Sequence, residues 1–245
     1  MVRKLLTIIC VLASIEPLFS QQNLFNIPSG DITPNGKVFY QHQFNIYTRK
    51  LESKAHFVYG LGKGWDAGVN LVGKGFYFTP VWRSMHNSDP NKGALYPVLL
   101  LTLQKSISLG DHWQMNWGSQ AGVNLSSRLR NKKLNYFFYG LVSFKPGKQH
   151  RLKLILGPYY TTPMFVGSGN KAGVLAGYEM KIRSGWYLMG DFISGNNDAG
   201  VMVLGLVKTV SRRVQICAGY MIPNPKTPKP PGLVLEVNVL GWDVE

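Results

Sequence analysis

Serine and histidine are the residues whose combination would give this chain nucleophilic chemistry. A serine hydroxyl becomes a nucleophile when a histidine within hydrogen-bonding reach accepts its proton. His42 lies on the apolar face of an alternating segment, whereas Ser106 and Ser108 lie at the opposite end of another such segment. The sequence also contains no Gly-x-Ser-x-Gly motif. We therefore predict that the protein is not an enzyme.

Metal and cofactor sites are not indicated by the sequence either. No group of His, Cys, Asp and Glu residues has the spacing of a structural metal site. Cys217 is the single cysteine that follows the first twenty residues. Its place in the alternation of apolar and polar residues predicts that the side chain faces the interior of the fold. We predict that this small side chain fills space there. We predict neither a cofactor nor an internal disulfide.

Charged residues on the polar faces of the alternating segments are a second kind of candidate site. They would surround a common interior if the segments formed a closed sheet. They could then pair as ions and fill that interior, or line a narrow aqueous path. The sequence leaves both possibilities open, and the basic excess favours anions if the path conducts. These lumen candidates are Lys54, Asp66, Arg151, Lys153, Lys171, Glu179, Lys181, Asp191 and Glu236.

A separate basic cluster lies on a predicted outer loop. One interpretation is a solvated loop, and the other is charge-assisted hydrogen bonding to the phosphates of an outer-leaflet glycolipid. A nucleic-acid partner is not predicted, because the remaining cations are spread over both sets of connections and no RNP1-like motif occurs. The cluster consists of Arg128, Arg130, Lys132 and Lys133.

The amino-terminal part of the chain predicts export. Residues 1–20 carry basic residues, then an apolar stretch, then small residues near Ser20 that offer a cleavage site, which is the pattern of a signal peptide. Residues 21–36 show no alternation and contain several prolines and glycines. They predict a periplasmic lead-in, or a segment folded partly into the mouth of the domain that residues 37–245 form.

Alternation of apolar and polar residues with a period of two dominates residues 37–245 and predicts β-strands with one apolar face. About twelve segments alternate in this way, and each is about as long as a tilted strand that crosses a bilayer. Short and long connections alternate between them. The fold class is therefore all-β, a transmembrane antiparallel up-and-down β-barrel of about twelve strands. The stretch from Phe76 to Arg83 is placed in a long outer loop or as an extension of the preceding strand.

Three tryptophans open segments that follow short turns, so they are expected at one membrane boundary. Amphipathic rings at that level form the aromatic girdle of a membrane barrel. The alternative is that large aromatic side chains fill a soluble core. The girdle candidates are Trp65, Trp113 and Trp186.

The export signal, the length and parity of the strands, and the strand-like stretch from Gly232 to Trp242 together resemble bacterial outer-membrane β-barrel proteins of the porin-like type. The resemblance implies the outer membrane of a Gram-negative cell, contact with membrane lipid and glycolipid, and a monomer. We predict passive passage of a small solute, with anions favoured. The alternative is a closed barrel that serves as a structural or interaction component of the envelope or of a secretion machine, with an unidentified protein partner.

Overall fold

The structure, a computed structural model, describes residues 22–125 and 134–243. Alternating apolar and polar residues form one antiparallel sheet in which nearly every strand pairs with its neighbours in sequence. The strands are β1 (Lys37–Ile46), β2 (Lys50–Gly62), β3 (Trp65–Tyr77), β4 (Arg83–Ser84), β5 (Val98–Ser108), β6 (Trp113–Asn124), β7 (Leu134–Phe144), β8 (Leu152–Thr161), β9 (Ala172–Arg183), β10 (Trp186–Ile193), β11 (Val201–Thr209), β12 (Val214–Pro223) and β13 (Gly232–Asp243).

The sheet closes into a barrel because β1 pairs with both β2 and β13. Strand β4 has two residues and pairs only with the end of β3, so the remaining twelve strands form the wall. The predicted antiparallel barrel of twelve strands is confirmed. Each predicted segment corresponds to one strand of the wall.

Two positions are predicted for the stretch from Phe76 to Arg83: a long outer loop, or an extension of the preceding strand. The structure contains a part of each. Phe76 and Tyr77 complete β3, and they pair with Ser84 and Arg83 of β4. Residues 78–82 form the tip of this extension beyond the wall. The stretch is therefore a protruding hairpin and not a further strand of the barrel.

The outer surface of the barrel is apolar. Along β5, Leu99, Leu101 and Leu103 point outward and are exposed, whereas Val98 and Leu100 point inward and are buried. Exposed leucines and valines recur in this way on the other strands, and so large an apolar surface would be a liability in water. A band of this kind facing acyl chains is what a membrane-spanning barrel requires.

The two ends of the barrel differ in the length of their connections. At the short-turn end, β2 and β3 are joined by Lys63 and Gly64, whose φ angles of 52° and 75° suit a two-residue hairpin turn. The long-loop end carries the connections at 78–97, 162–171 and 224–231, together with a 3₁₀ turn (Pro90–Lys92) and helix α1 (Pro163–Val166). No helix in the described part of the chain is long and apolar enough to span a membrane.

The segment before β1 folds back inside the barrel, and we call residues 22–34 the N-terminal plug. Its backbone is a tight hairpin, in which the N–H of Leu24 donates to the carbonyl of Ile27 (2.9 Å) and the N–H of Ser29 donates to that of Gln22 (2.8 Å). The hairpin enters from the short-turn end, where β1 begins, and its tip lies deep in the lumen.

The position of the plug is closer to the second possibility predicted for residues 21–36, a segment folded partly into the mouth of the barrel, than to the first, a periplasmic lead-in. The structure places residues 22–34 inside the barrel, where the large side chains of the tip are buried. The physical reason is that this segment forms hydrogen bonds with wall strands that are distant in sequence. A local pattern of residues cannot indicate such partners.

Candidate functional site

Two aspartates of the wall hold the backbone of the plug. Asp191 on β10 accepts hydrogen bonds from the N–H groups of Asn26 and Ile27, the latter at 3.2 Å. Asp66 on β3 accepts from the N–H of Thr33 at 3.1 Å and from the side chain of Gln22. Hydrogen bonds to an ionised carboxylate are stronger than neutral ones. These two anchors therefore fix both the tip and the base of the plug.

Apolar packing fixes the tip further. The side chains of Leu24, Phe25 and Ile27 are at most 2% exposed and pack against the buried apolar side chains of the lumen. Gly177 on β9 makes room for them, since a Cβ atom at this position would lie 2.4 Å from Leu24 and 2.9 Å from Ile27. The plug is thus part of the hydrophobic core of the barrel.

The plug separates two cavities. The long-loop cavity has a volume of about 330 Å³ and is lined by Asn23, Phe25 and Asn26 of the plug. The short-turn cavity has a volume of about 870 Å³ and is lined by Asp31 and Thr33. The two cavities share none of the described lining residues, and residues of the plug line both of them.

The lumen candidates fall into two groups. Arg151 and Lys171 are exposed and lie just before β8 and β9, outside the spanning part of the wall, and Arg151 lines the open end of the short-turn cavity. Lys54, in contrast, donates a hydrogen bond to the side-chain oxygen of Asn26 on the plug (2.8 Å). The others that point into the lumen are Asp66, Lys153, Glu179, Lys181, Asp191 and Glu236.

An ion-paired cluster joins the plug to the wall near the short-turn end. The Asp31 carboxylate pairs with the ammonium groups of Lys153, which is buried, and of Lys145 at 3.6 Å. Glu179 lies opposite Lys153 across the β8–β9 pair. A buried ammonium group needs such partners because desolvation without them costs several kcal/mol or more.

A second ion pair, between Lys50 and Glu52, lines the long-loop cavity. The hydroxyl of Tyr47, on the connection after β1, donates to Glu52 at 3.3 Å. Burial and the negative charge of Glu52 raise the pKa of Tyr47 above its ordinary value. The phenol therefore stays a neutral donor that orients this carboxylate.

Sequence reasoning missed Asp31, Lys145, Lys50 and Glu52. Glu52 was detectable, because it has the same parity as Lys54 in a strand that begins three residues earlier than the predicted segment. Asp31 lies in a segment without alternation, and its partner Lys153 is 122 positions away in sequence. No signal in a single sequence connects the two.

The three tryptophan candidates are the first residues of β3, β6 and β10, all at the short-turn end. Cationic groups lie over two of the rings: the Lys105 ammonium is 5.1 Å from the centre of the Trp65 ring, and that of Lys208 is 4.9 Å from the Trp186 ring. Trp113 packs against Phe144, with ring centres 4.4 Å apart. Such amphipathic surroundings suit the boundary between lipid and water.

A polar network also lies on the outer surface. The His42 imidazole on β1 has Nε2 2.9 Å from Oγ of Ser53 on β2 and Nδ1 2.8 Å from the Tyr40 hydroxyl. Ser53 has the same outward parity as Phe57, whose ring is exposed. Sequence analysis tested only Ser106 and Ser108 as partners of His42. Ser53 was missed because only the pairing of β1 with β2 brings it to the histidine.

Two of the predicted features lie outside the described residues. These are the signal peptide at 1–20 with its cleavage near Ser20, and the basic cluster Arg128, Arg130, Lys132 and Lys133. The glycolipid contact of that cluster stays a prediction, as do the monomeric state and the lack of a nucleic-acid partner.

Neither a family model nor a curated protein matches the chain. Solved structures that are similar, each at 9% identity, include outer membrane phospholipase A from Escherichia coli (TM-score 0.46, covering 87% of this chain and 99% of that one). Others are the outer membrane channel DcaP of Acinetobacter baumannii (0.35; 84% and 96%) and the toluene transporter TbuX of Ralstonia pickettii (0.43; 91% and 96%). With TM-scores below 0.5, these similarities support no conclusion about activity or solute.

The fold and its surface define the class of protein. A closed antiparallel wall, membrane-length strands and an apolar exterior make the chain a transmembrane β-barrel, and it resembles bacterial outer-membrane barrels. Its N-terminal plug lines two cavities of the lumen, one toward each end of the barrel.

Proposed function

We propose that the protein is an outer-membrane barrel that the plug closes at rest, and that small solutes, with anions favoured, pass without chemistry when the plug moves. The apolar exterior supports a membrane location. The preference for anions follows from the excess of cationic over anionic side chains around the short-turn cavity.

One observation carries this proposal: each part of the lumen holds a cavity, one toward each end of the barrel, and the plug lines both of them. A barrel that served as a scaffold alone would have no need for two cavities lined by charged side chains. Displacement of this one hairpin, which removes Leu24, Phe25 and Ile27 from the packed interior, is the proposed route by which the two cavities join.

The test is a variant that pushes the plug away from the wall. Gly177→Val places a side chain where Leu24 and Ile27 pack. The wall atom nearest to a Cβ at this position, the Gly190 carbonyl oxygen, is farther away, at 3.2 Å. Such overpacking costs about 1–3 kcal/mol. In planar bilayers we expect the unaltered protein to open rarely and Gly177→Val to show frequent, anion-selective openings.

The matched control is Gly140→Val on β7, where a Cβ atom would meet nothing within 4 Å. This variant should behave as the unaltered protein does. If Gly177→Val and a variant that lacks residues 22–34 are both silent while folded, the channel proposal fails and the closed scaffold is favoured.

A second candidate function rests on the outward-facing network of Tyr40, His42 and Ser53. With Nδ1 donating to Tyr40, Nε2 of His42 is free to accept the proton of Ser53 as its oxygen attacks a lipid ester carbonyl. The acyl group is then bonded to Ser53, and the leaving alcohol takes the proton. Water releases the fatty acid and restores the serine. An ionisable residue on a membrane face is a candidate functional site.

This second candidate predicts that a fluorophosphonate probe labels Ser53 and that the purified protein releases fatty acid from phospholipid micelles. Ser53→Ala should abolish both, because the other two side chains cannot replace the nucleophile. Ser119→Ala is the matched control, since Ser119 lies on the exterior of β6 opposite Leu103 and Phe138. If labelling is absent, or is equal in both variants, the network has no catalytic role. Its three side chains then only satisfy one another's hydrogen-bonding groups.

A further inference from the structure

The short-turn cavity is strongly basic. Among the described residues that line it, Asp31 and Glu179 are the only two with carboxylates. A concave, low-dielectric wall with an excess of one charge raises the local concentration of ions of the opposite sign. The lysines and arginines that line the cavity are Lys145, Lys148, Arg151, Lys153, Lys181, Lys208 and Arg212.

The plug supplies the anion to which two of these cations now bind. The Asp31 carboxylate contacts both Lys145 and Lys153. The two lysines belong to the wall, on β8 and on the turn before it, whereas Asp31 belongs to the hairpin. Each lysine could therefore exchange Asp31 for another anion without any change in the wall.

From this geometry we infer that the short-turn cavity is a binding site for a small multivalent oxyanion, of the phosphate or polycarboxylate class, that competes with Asp31 for Lys145 and Lys153. We take the ligand to be multivalent because a singly charged anion would only equal the Asp31 carboxylate, which the plug already holds against both ammonium groups. Buried Lys153 must also keep an anionic partner throughout the exchange. The cavity, at about 870 Å³, has room for such a ligand beside the plug.

Binding would weaken the hold of the wall on the plug. Asp31 loses its two ammonium partners, while the anchors at Asp66 and Asp191 remain. The plug is either in place or displaced. A ligand that binds more tightly to the barrel with the plug displaced shifts the equilibrium between these two states only by the difference in its binding free energy for them. This consequence for opening rests on the proposed passage function, whereas binding of the anion does not.

The experiment is calorimetric titration of inorganic pyrophosphate into the purified protein in zwitterionic detergent, with sodium chloride as the monovalent comparison. We expect pyrophosphate to bind and chloride not to compete at equal concentration. Lys145→Gln should weaken pyrophosphate binding about tenfold, as the loss of one charged hydrogen bond implies. Asp31→Asn should strengthen it, because the competing carboxylate is gone.

The matched control is Lys74→Gln, which removes the same charge from an exposed position on β3 toward the long-loop end. It should leave pyrophosphate affinity unchanged, and heat-modifiable gel mobility confirms that each variant is folded. An equal loss in Lys74→Gln and Lys145→Gln, or no binding at all, would overturn the site. If pyrophosphate binds as expected but no variant conducts in bilayers, the passage function fails and the binding site stands.

Discussion

Phe25→Ala is expected to lower the free energy of unfolding by about 3–5 kcal/mol, as truncation of a buried phenylalanine does when the cavity it leaves cannot collapse. The Phe25 side chain is 2% exposed and lies among buried side chains of the lumen. The wall is a closed hydrogen-bonded sheet and cannot move inward to fill the gap. Reversible urea unfolding in lipid vesicles, followed by tryptophan fluorescence, measures the change.

The control for this variant is Phe78→Ala, at the tip of the hairpin between β3 and β4. Phe78 is only partly buried, with ring contacts to Phe76 and Trp82 more than 6 Å between centres. Phe78→Ala should lower the free energy of unfolding by much less than Phe25→Ala does. Equal effects at the two positions would mean that the plug is not packed as described.

The same packing sets how often the barrel opens. Burial of Leu24, Phe25 and Ile27 contributes roughly 1.5–3 kcal/mol for each side chain. Moving all three out of the core would leave the open state below about one molecule in a thousand, at 1.4 kcal/mol for each factor of ten. Spontaneous opening is thus rare. A ligand that releases Asp31 offers a physical route to more frequent opening.

The wall was predictable because its signal is local. Every second residue along each strand faces lipid. An alternation such as Leu99, Leu101 and Leu103 therefore indicates both that the segment is a strand and which of its sides faces the membrane. Parity also predicted that Lys153 and Asp191 point inward. The closure of the barrel follows, because an open edge within the membrane would leave backbone groups without hydrogen bonds.

The plug and its contacts were not predictable in the same way. Residues 22–34 lack alternation because they pack against a curved interior on all sides. Their partners, such as Asp191 for Asn26, are far away in the sequence. The pairing of His42 with Ser53 depends likewise on the register of two strands, which a single sequence specifies only loosely.

Leu101→Arg is the second large effect, with an expected loss of about 2–4 kcal/mol in folding free energy if the site lies near the bilayer midplane. Leu101, the fourth residue of β5, is 69% exposed, and its outward direction means that the guanidinium would meet acyl chains. The cost comes from desolvation of the charge and not from any lost contact within the protein. Unfolding titrations in phospholipid vesicles provide the measurement.

The matched control is Leu109→Arg, the same substitution in the short turn after β5, where the leucine is 53% exposed. At that level the arginine reaches water and headgroups, so the expected cost falls to about 0–1 kcal/mol. Because the two leucines are similarly exposed and lie on one hairpin, the difference between the variants isolates their depth in the membrane. If Leu101→Arg is as harmless as Leu109→Arg, the exterior of β5 does not face lipid. The assignment of the apolar belt to the membrane would then be wrong.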